Sequence, residues 1–423
     1  MVEFFRNLLI GICALIVMWG IVKIERIYQF PFFMASMVIS FILPQVSALI
    51  NNPGVVTEKM LITVLAMACL CTSMCWIGYH LPPNLQLLRR LQTPLDDKKL
   101  LQAGIFLTTI GWIFSIFTAQ AAIQIEAGKQ WTGPATIFAF FAQVIYLGFA
   151  ILLMQLLSKP SVINTIGTVI AGLPIVQPIL AGRRQPTMTF LIIIGLAFWY
   201  NFKLAPPKWL VLLSIFIGAY IIPLVGNLRG GFWSLIFQQD WETLKTSAEL
   251  SYETLQKGGT LELRNATLVI DAATVSGRYE YGAGYWNAFV FQYFPGQIFG
   301  YDLKQSLQFD LQREENLSVY GYTFPSGTTW TGIGDSYLQF GYFGALVFGL
   351  MANVFKILWI ASYQQKSIIA TLLMMSLISP AMVGITHGTE RFLQEFIFQI
   401  IVVILVVYYC GIKFQRSVIG GYY

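Results

Sequence analysis

The chain has 423 residues, 56% of them hydrophobic and only 11% charged, with a formal net charge of +6. A soluble domain carries about a quarter charged residues, so the composition excludes a water-soluble globular protein. Its solvent must be lipid, and the chain reads as an all-α polytopic membrane protein.

Apolar runs long enough to cross roughly 30 Å of hydrocarbon as helices fall at about 8–22, 30–50, 60–79, 100–123, 134–157, 161–180, 186–202, 208–226, 337–359, 367–386 and 393–412. They predict about eleven transmembrane helices. Residues 1–226 hold the first eight, 227–336 form one large loop, and 337–423 hold the last three and a tail. Pro174, Pro178 and Pro186 interrupt the runs at 161–180 and 186–202. No A-x-A cleavage site follows the first run, so it is expected to be a retained helix rather than a signal peptide. Cys13, Cys69, Cys71, Cys75 and Cys410 all lie in apolar runs. They read as small packing residues, with no disulfide or metal role.

Basic residues orient the chain. With the long loop outside, the inner loops and C-terminus hold thirteen basic residues against three acids, Glu25, Asp96 and Asp97. The short outer loops and N-terminus hold six: Arg6, Lys59, Lys129, Arg183, Arg184 and Arg391. Positive charge is retained on the cytoplasmic side, so the long loop is expected to be external. The net charge then reflects topology, and no nucleic-acid patch is visible. Arg183, Arg184 and Arg391 run against the bias at the ends of apolar runs. A lone interfacial arginine snorkels to headgroups; several on one face point to an anionic ligand.

The loop carries twelve acids and seven bases. "QQDWETLKTSAELSYETLQKGG" has helical spacing and a Gly-Gly stop, and predicts an amphipathic helix, near the membrane surface or simply soluble. Ten of the 23 residues from Tyr279 to Tyr301 are aromatic. Such rings form interfacial belts or flat faces that suit sugar rings. Their density beside Arg278 and Glu280 favours a groove, with Tyr281, Tyr285, Trp286 and Tyr293 as candidate sugar platforms. Asp335, in "TGIGDSYLQFGYFGALVFGL", stands where the chain re-enters the membrane. It fits a helix N-cap or a carboxylate that positions or deprotonates a hydroxyl.

"HGTERFLQEF" at 387–396 concentrates His387, Glu390, Arg391 and Glu395 before the last apolar run. As a helix, His387, Arg391 and Gln394/Glu395 share one stripe, with Glu390 beside it. An Arg391–Glu395 pair closing a polar gap is the structural alternative. Arginine offers planar bidentate donors that suit phosphate and diphosphate. Arg183, Arg184, Arg229, Arg278 and Arg391 are therefore candidate diphosphate ligands. Glu390, Asp335 and His387 are candidate general bases. The loop-bearing face has no Asp-x-Asp, which argues against a metal-bound nucleotide-sugar mechanism and for a metal-independent, cofactor-free one.

"AGRRQPTMTFLIIIG", "FQYFPGQIFGYD", "TGIGDSYLQFGYFGALVFGL" and "THGTERFLQEFIFQ" together resemble the Wzy-type oligosaccharide repeat-unit polymerases, which include the O-antigen and enterobacterial common antigen polymerases. The resemblance covers roughly 180–412. It implies a GT-C-like architecture in the bacterial inner membrane with a periplasmic loop. It implies transfer of a glycan between undecaprenyl-diphosphate-linked repeat units. It also implies work beside a chain-length regulator and a flippase. On it, Arg183, Arg229 and Arg391 hold diphosphate, Glu390 takes the acceptor's proton with Asp335 and His387 behind it, and Glu395 steadies Arg391. The related O-antigen ligases use a loop histidine, and none lies in 227–336. A transporter or flippase would favour internal repeats and midplane charges, and neither is evident. A structural subunit of an export complex would need no clustered arginines.

Overall fold

The computed structural model describes residues 1–122, 134–228, 231–258, 261–311, 313, 319–322, 324 and 328–412. Its secondary structure is helical throughout these residues, with one isolated bridge between Leu95 and Gly411. Ten helices among them are long and apolar enough to span a membrane. The protein is an all-α polytopic membrane protein. In chain order the helices used below are α1 (Val2–Val22), α2 (Phe30–Asn51), α3 (Glu58–His80), α4 (Asp97–Ala121), α5 (Pro134–Ser158) and α6 (Val162–Leu180). They continue with α7 (Arg184–Phe202) and α8 (Lys208–Gly226), then three loop helices, α9 (Trp241–Gln256), α10 (Glu262–Ser276) and α11 (Ala283–Tyr293). The last are α12 (Thr331–Gln364), α13 (Ile368–Thr386) and α14 (Thr389–Cys410).

The expected run at 186–202 is the helix α7, but it is not among the ten. Gln185, Pro186, Thr187 and Thr189 dilute its apolar content at one end, and Asn201 does so at the other. The proline-interrupted α6 is helical through Pro174 and Pro178. Two other boundaries move in a way that matters. α12 begins at Thr331 and α14 at Thr389, several residues before the apolar runs at 337 and 393. Asp335, Glu390 and Arg391 therefore lie inside helices. His387 does not: it caps the C-terminal end of α13. The single stripe from His387 through Arg391 is thus broken, because Gly388 turns the chain between two helices.

α13 is the axis of the bundle, with 89% of its span buried. It packs against α7, α12 and α14, while α3 packs along the second half of α12. Lipid tails are as apolar as leucine, so helices in a bilayer are held largely by close packing of small residues. A Cβ on Gly78 would run into the carbonyl oxygen of Gly349, and one on Gly332 into that of Gly384. Gly78→Ala should lower the unfolding midpoint in detergent, at a cost of about 1–3 kcal/mol for overpacking. Gly11, with open space around it, should tolerate alanine. A thermal unfolding curve for each variant checks both.

The loop folds onto this bundle and partly into it. α9 is capped by Asp240, whose side chain accepts from the Thr243 N–H at 3.0 Å. It lies against α2 and α8, and Gly258 at φ +70 stops it. α10 is buried along most of its length between α3 and the first half of α12. The Asn265 amide on it donates to the Thr328 hydroxyl at 2.8 Å and to the Thr329 carbonyl at 3.0 Å. Those two bonds pin the segment that leads into α12.

All five cysteines are buried and free.

Candidate active site

α12 starts under strain. Thr331 is fully buried and holds φ +57, a left-handed conformation that is an outlier for a β-branched residue. One turn later Asp335 is also fully buried. Its Oδ2 accepts from the Thr389 hydroxyl and from the Glu390 backbone N–H at 2.9 Å. Asp335 is thus an N-cap, though not of its own helix: it caps α14, an arrangement that complements the positive end of that helix dipole. Its Oδ1 is buried with no hydrogen-bond partner among the described residues. The Tyr285 hydroxyl lies 2.8 Å from the Thr389 hydroxyl. Thr389 spends its proton on Asp335, so Tyr285 must be the donor in that pair.

The cap places Glu390 beside a second carboxylate, Glu280. Arg313 joins them. Its Nε donates to Glu280 Oε1 at 2.5 Å, and one terminal nitrogen donates to Oε2 at 2.7 Å. That same nitrogen is 3.8 Å from Glu390 Oε2. Gln339 donates to Glu280 as well. Burial alone would lower the pKa of Arg313, but its bonds to Glu280 and the charges of Glu280, Glu390 and Asp335 outweigh that and raise it. The guanidinium stays charged, with its centre 5.1 Å from the ring centroid of Trp330. Burial first, and then the Asp335 charge, raises the pKa of Tyr285, which keeps its phenol protonated.

Of these groups Glu280, Arg313 and Trp330 line a cleft of about 480 Å³, together with Arg278, Tyr279, Tyr281, Phe309 and Asp310 among others. The indole N–H of Trp330 is buried without a partner among the described residues. Trp330 Nε1 is thus an orphan donor on a residue that lines the cleft, and buried polar groups ordinarily find a partner. Tyr281 is 74% exposed, and its φ of +49 turns the chain at the rim.

A second polar group lies on the same first turns of α14. Arg391 Nε is 3.2 Å from Glu395 Oε1, and Gln185 donates to both Glu395 oxygens at 3.0 and 3.2 Å. Glu395 is buried and Arg391 about one-third exposed. The expected Arg391–Glu395 pair is therefore present, with Gln185 as its third member. Tyr146 lies within reach of the charges of both Glu395 and Arg183, so Arg183 borders the same corner. Replacing Arg391 with alanine strands Glu395, and the fold should lose about 1–3 kcal/mol. Glu395→Gln leaves Arg391 without its partner, but that guanidinium is about one-third exposed, so the loss should be smaller. Paired thermal unfolding curves measure the difference.

The candidate residues thus divide. Asp335 and Glu390 come together beside Arg313, which lines the cleft with Arg278 and Tyr281. Arg391 and Glu395 pair at the neighbouring corner, where the charge of Arg183 also reaches Tyr146. Arg184 turns elsewhere, donating to the Ile222 carbonyl at 3.3 Å. His387 is exposed at the turn, its Nδ1 2.7 Å from the Thr386 hydroxyl. Tyr293 donates to the Gln394 carbonyl at 2.7 Å and Trp286 to the Leu307 carbonyl at 2.8 Å, so their polar tips brace the loop. Arg229 lies outside the described residues. Sequence reasoning missed Arg313, Gln339, Thr389 and Trp330. In "LQREEN" an arginine beside two glutamates reads as a solvated charge run, and no local signal marks it otherwise.

Metal ligation finds no support in the grouping of donors: among the described residues no three His, Cys, Asp or Glu side chains are placed to hold an ion. Compared with protein-family models, with curated proteins and with solved structures, the chain finds no match.

Proposed function

We propose that the protein is a glycosyltransferase that polymerises undecaprenyl-diphosphate-linked oligosaccharide repeat units on the outer face of a bacterial inner membrane, in a GT-C-like architecture. The observation that carries this reading is Glu390. It is a partly exposed carboxylate, held 3.8 Å from Arg313 beside an aromatic cleft, with the Arg391–Glu395 pair on the next turn of the same helix. A glycan chain fits a cleft of apolar faces and scattered polar groups. A lipid-linked diphosphate fits arginines at the membrane end of a helix.

In the reaction, a hydroxyl oxygen of the acceptor glycan attacks the anomeric carbon of the donor. The bond from that carbon to the diphosphate oxygen breaks with its electron pair. Glu390 takes the hydroxyl proton, and the freed lipid diphosphate keeps the negative charge, which Arg391 and Arg183 stabilise. Asp335 positions Glu390 through the backbone N–H and Thr389. Arg313 holds Glu390 in place from 3.8 Å. No metal is called on, because arginines carry the leaving-group charge.

The test is genetic. A deletion strain complemented with the wild-type gene should show a long surface-glycan ladder on a gel. Complementation with Arg391→Ala, at matched protein level, should leave the single repeat unit and remove the ladder. Loss of the single unit as well would support a flippase instead.

A further inference from the structure

Of the aromatic stretch from Tyr279 to Tyr301, Tyr279 and Tyr281 line the cleft. The rest runs away from it. No residue from Tyr281 to Tyr301 is charged, and α11 carries this segment down the side of α14. The Tyr285 hydroxyl lies 2.8 Å from that of Thr389, the first residue of α14. Further along, the Gln394 amide donates to the Ala288 carbonyl at 2.7 Å, and Tyr293 donates to the Gln394 carbonyl at 2.7 Å. Later residues of α11 thus meet later residues of α14, so α11 descends in the direction α14 takes into the bilayer. The Tyr293 ring is 5.6 Å from Phe140 of α5, which is 4.4 Å from Phe398 of α14. Phe140 and Phe398 lie six and five residues inside the apolar runs that begin at 134 and 393, about 7–9 Å along each helix. The end of α11 is therefore level with hydrocarbon.

Beyond Tyr293 the chain turns and climbs back. Two short helices, Gly296–Phe299 and Tyr301–Ser306, lead into a return arm held against α11. There Trp286 donates to the Leu307 carbonyl at 2.8 Å, and Asn287 exchanges two bonds with the Phe309 backbone at 2.7 and 2.8 Å. Residues 294–300 are thus the lowest point of a hairpin. Its tip is apolar and uncovered: Ile298 is 70% and Phe299 50% exposed. The tip also satisfies its own backbone, as lipid requires. The Ile298 and Phe299 N–H groups donate to the Pro295 carbonyl at 3.0 and 3.1 Å, and the Gly300 N–H donates to the Gly296 carbonyl at 2.9 Å. Charge resumes at Asp302 and Lys304 on the rising arm. Lys304 folds back to the Phe291 carbonyl at 3.1 Å, with its stem along apolar surface and its head free to reach headgroups. An exposed apolar patch marks an interaction surface. Its occupant follows from continuity: the patch adjoins rings that belong to membrane-spanning helices, among them the exposed Phe141, 6.3 Å from Phe398.

We propose that residues 294–300 form a membrane-embedded tip, inserted beside α5 and α14 into the leaflet on the loop's side of the bilayer, with Ile298 and Phe299 in hydrocarbon and Lys304 at the headgroups. The tip anchors the cleft-bearing loop at a fixed height over the lipid.

The experiment uses the full chain reconstituted in vesicles of phosphatidylethanolamine and phosphatidylglycerol. A nitroxide is attached in Ile298→Cys and, separately, in Phe299→Cys. The five native cysteines are buried, and the unsubstituted chain gives the labelling background. Collisions of the nitroxide with oxygen, which concentrates in hydrocarbon, are compared with its collisions with a water-soluble nickel chelate. Oxygen should dominate at 298 and 299. The chelate should dominate in Lys245→Cys, on the exposed charged face of α9. Dominance of the chelate at 298 and 299 would overturn the proposal, because the tip then stands in water. So would protection from both reagents, which would mean that protein covers the tip, either a second copy of the chain or another partner. The two sites are read independently, so if one variant does not fold the other decides.

Discussion

Replacing Glu390 with glutamine is expected to stop chain growth while leaving the fold in place. The structural role of residue 390 runs through its backbone: its N–H, not its carboxylate, meets Asp335. Among the described residues its carboxylate has one ion-pair contact, 3.8 Å to Arg313, and glutamine retains the shape. The unfolding midpoint should therefore move little. The rate should not survive, because the acceptor hydroxyl then has no group to take its proton, and general base catalysis contributes about 10²–10⁴-fold. Glu390→Asp draws the carboxylate back and should give a partial loss. Asp335→Asn supplies the contrast. An amide oxygen still accepts from Thr389 and Glu390, so the cap persists while the buried charge is gone. A purified polymerisation assay beside thermal unfolding separates these cases. A Glu390→Gln protein that extends glycans at near the wild-type rate would remove Glu390 from the mechanism.

Arg313→Ala should be the most damaging substitution to stability in the loop. Glu280 is 6% exposed, and without Arg313 its side-chain donor among the described residues is Gln339. Breaking a buried pair from one side costs about 3–5 kcal/mol. Arg313 itself is 23% exposed, which places the expected loss toward the lower end, about 3 kcal/mol. Removing both charges is a different perturbation. Arg313→Met with Glu280→Gln leaves no stranded ion, and buried pairs replaced together are often neutral. That double variant should recover most of the midpoint. It should not recover activity, because Glu390 has then lost the cation that aims it. If the double variant is as unstable as the single one, the Arg313–Glu280 bond is not the source of the loss. A double variant that polymerises normally would show that Arg313 serves structure alone.

Some of this was open to reading before any coordinates. Asp335 and Glu390 stand out in sequence because a carboxylate in a greasy segment must have a partner or a task. Arg391 and Glu395 stand out as a pair because i and i+4 share a helix face. The order of apolar runs places 335 and 390 at the same end of the bundle, since one helix begins where the other begins. None of this required a long-range contact to be guessed.

Arg313 and Glu280 are the opposite case. They are 33 residues apart in a loop whose charges all look solvated, and only the fold puts one guanidinium against two carboxylates. α10 was equally hidden. Its polar residues Arg264, Asn265 and Thr267 argue against burial, yet the fold supplies carbonyl and hydroxyl partners for them. The stripe through His387 failed because periodicity says how a segment behaves alone, whereas a glycine turn sets where it stops.

The sequence by itself determined the solvent, the helical class and the positions of the apolar runs, because lipid admits only helices and closed barrels, and long continuous apolar runs without alternation fit helices. Tertiary structure alone decided that Asp335 caps another helix, that Arg313 joins Glu280 to Glu390, and that Arg184 faces away from Arg391. Those are questions of which side chains meet across tens or hundreds of residues. Local composition carries no term for such a meeting, and only packing of the whole bundle supplies one.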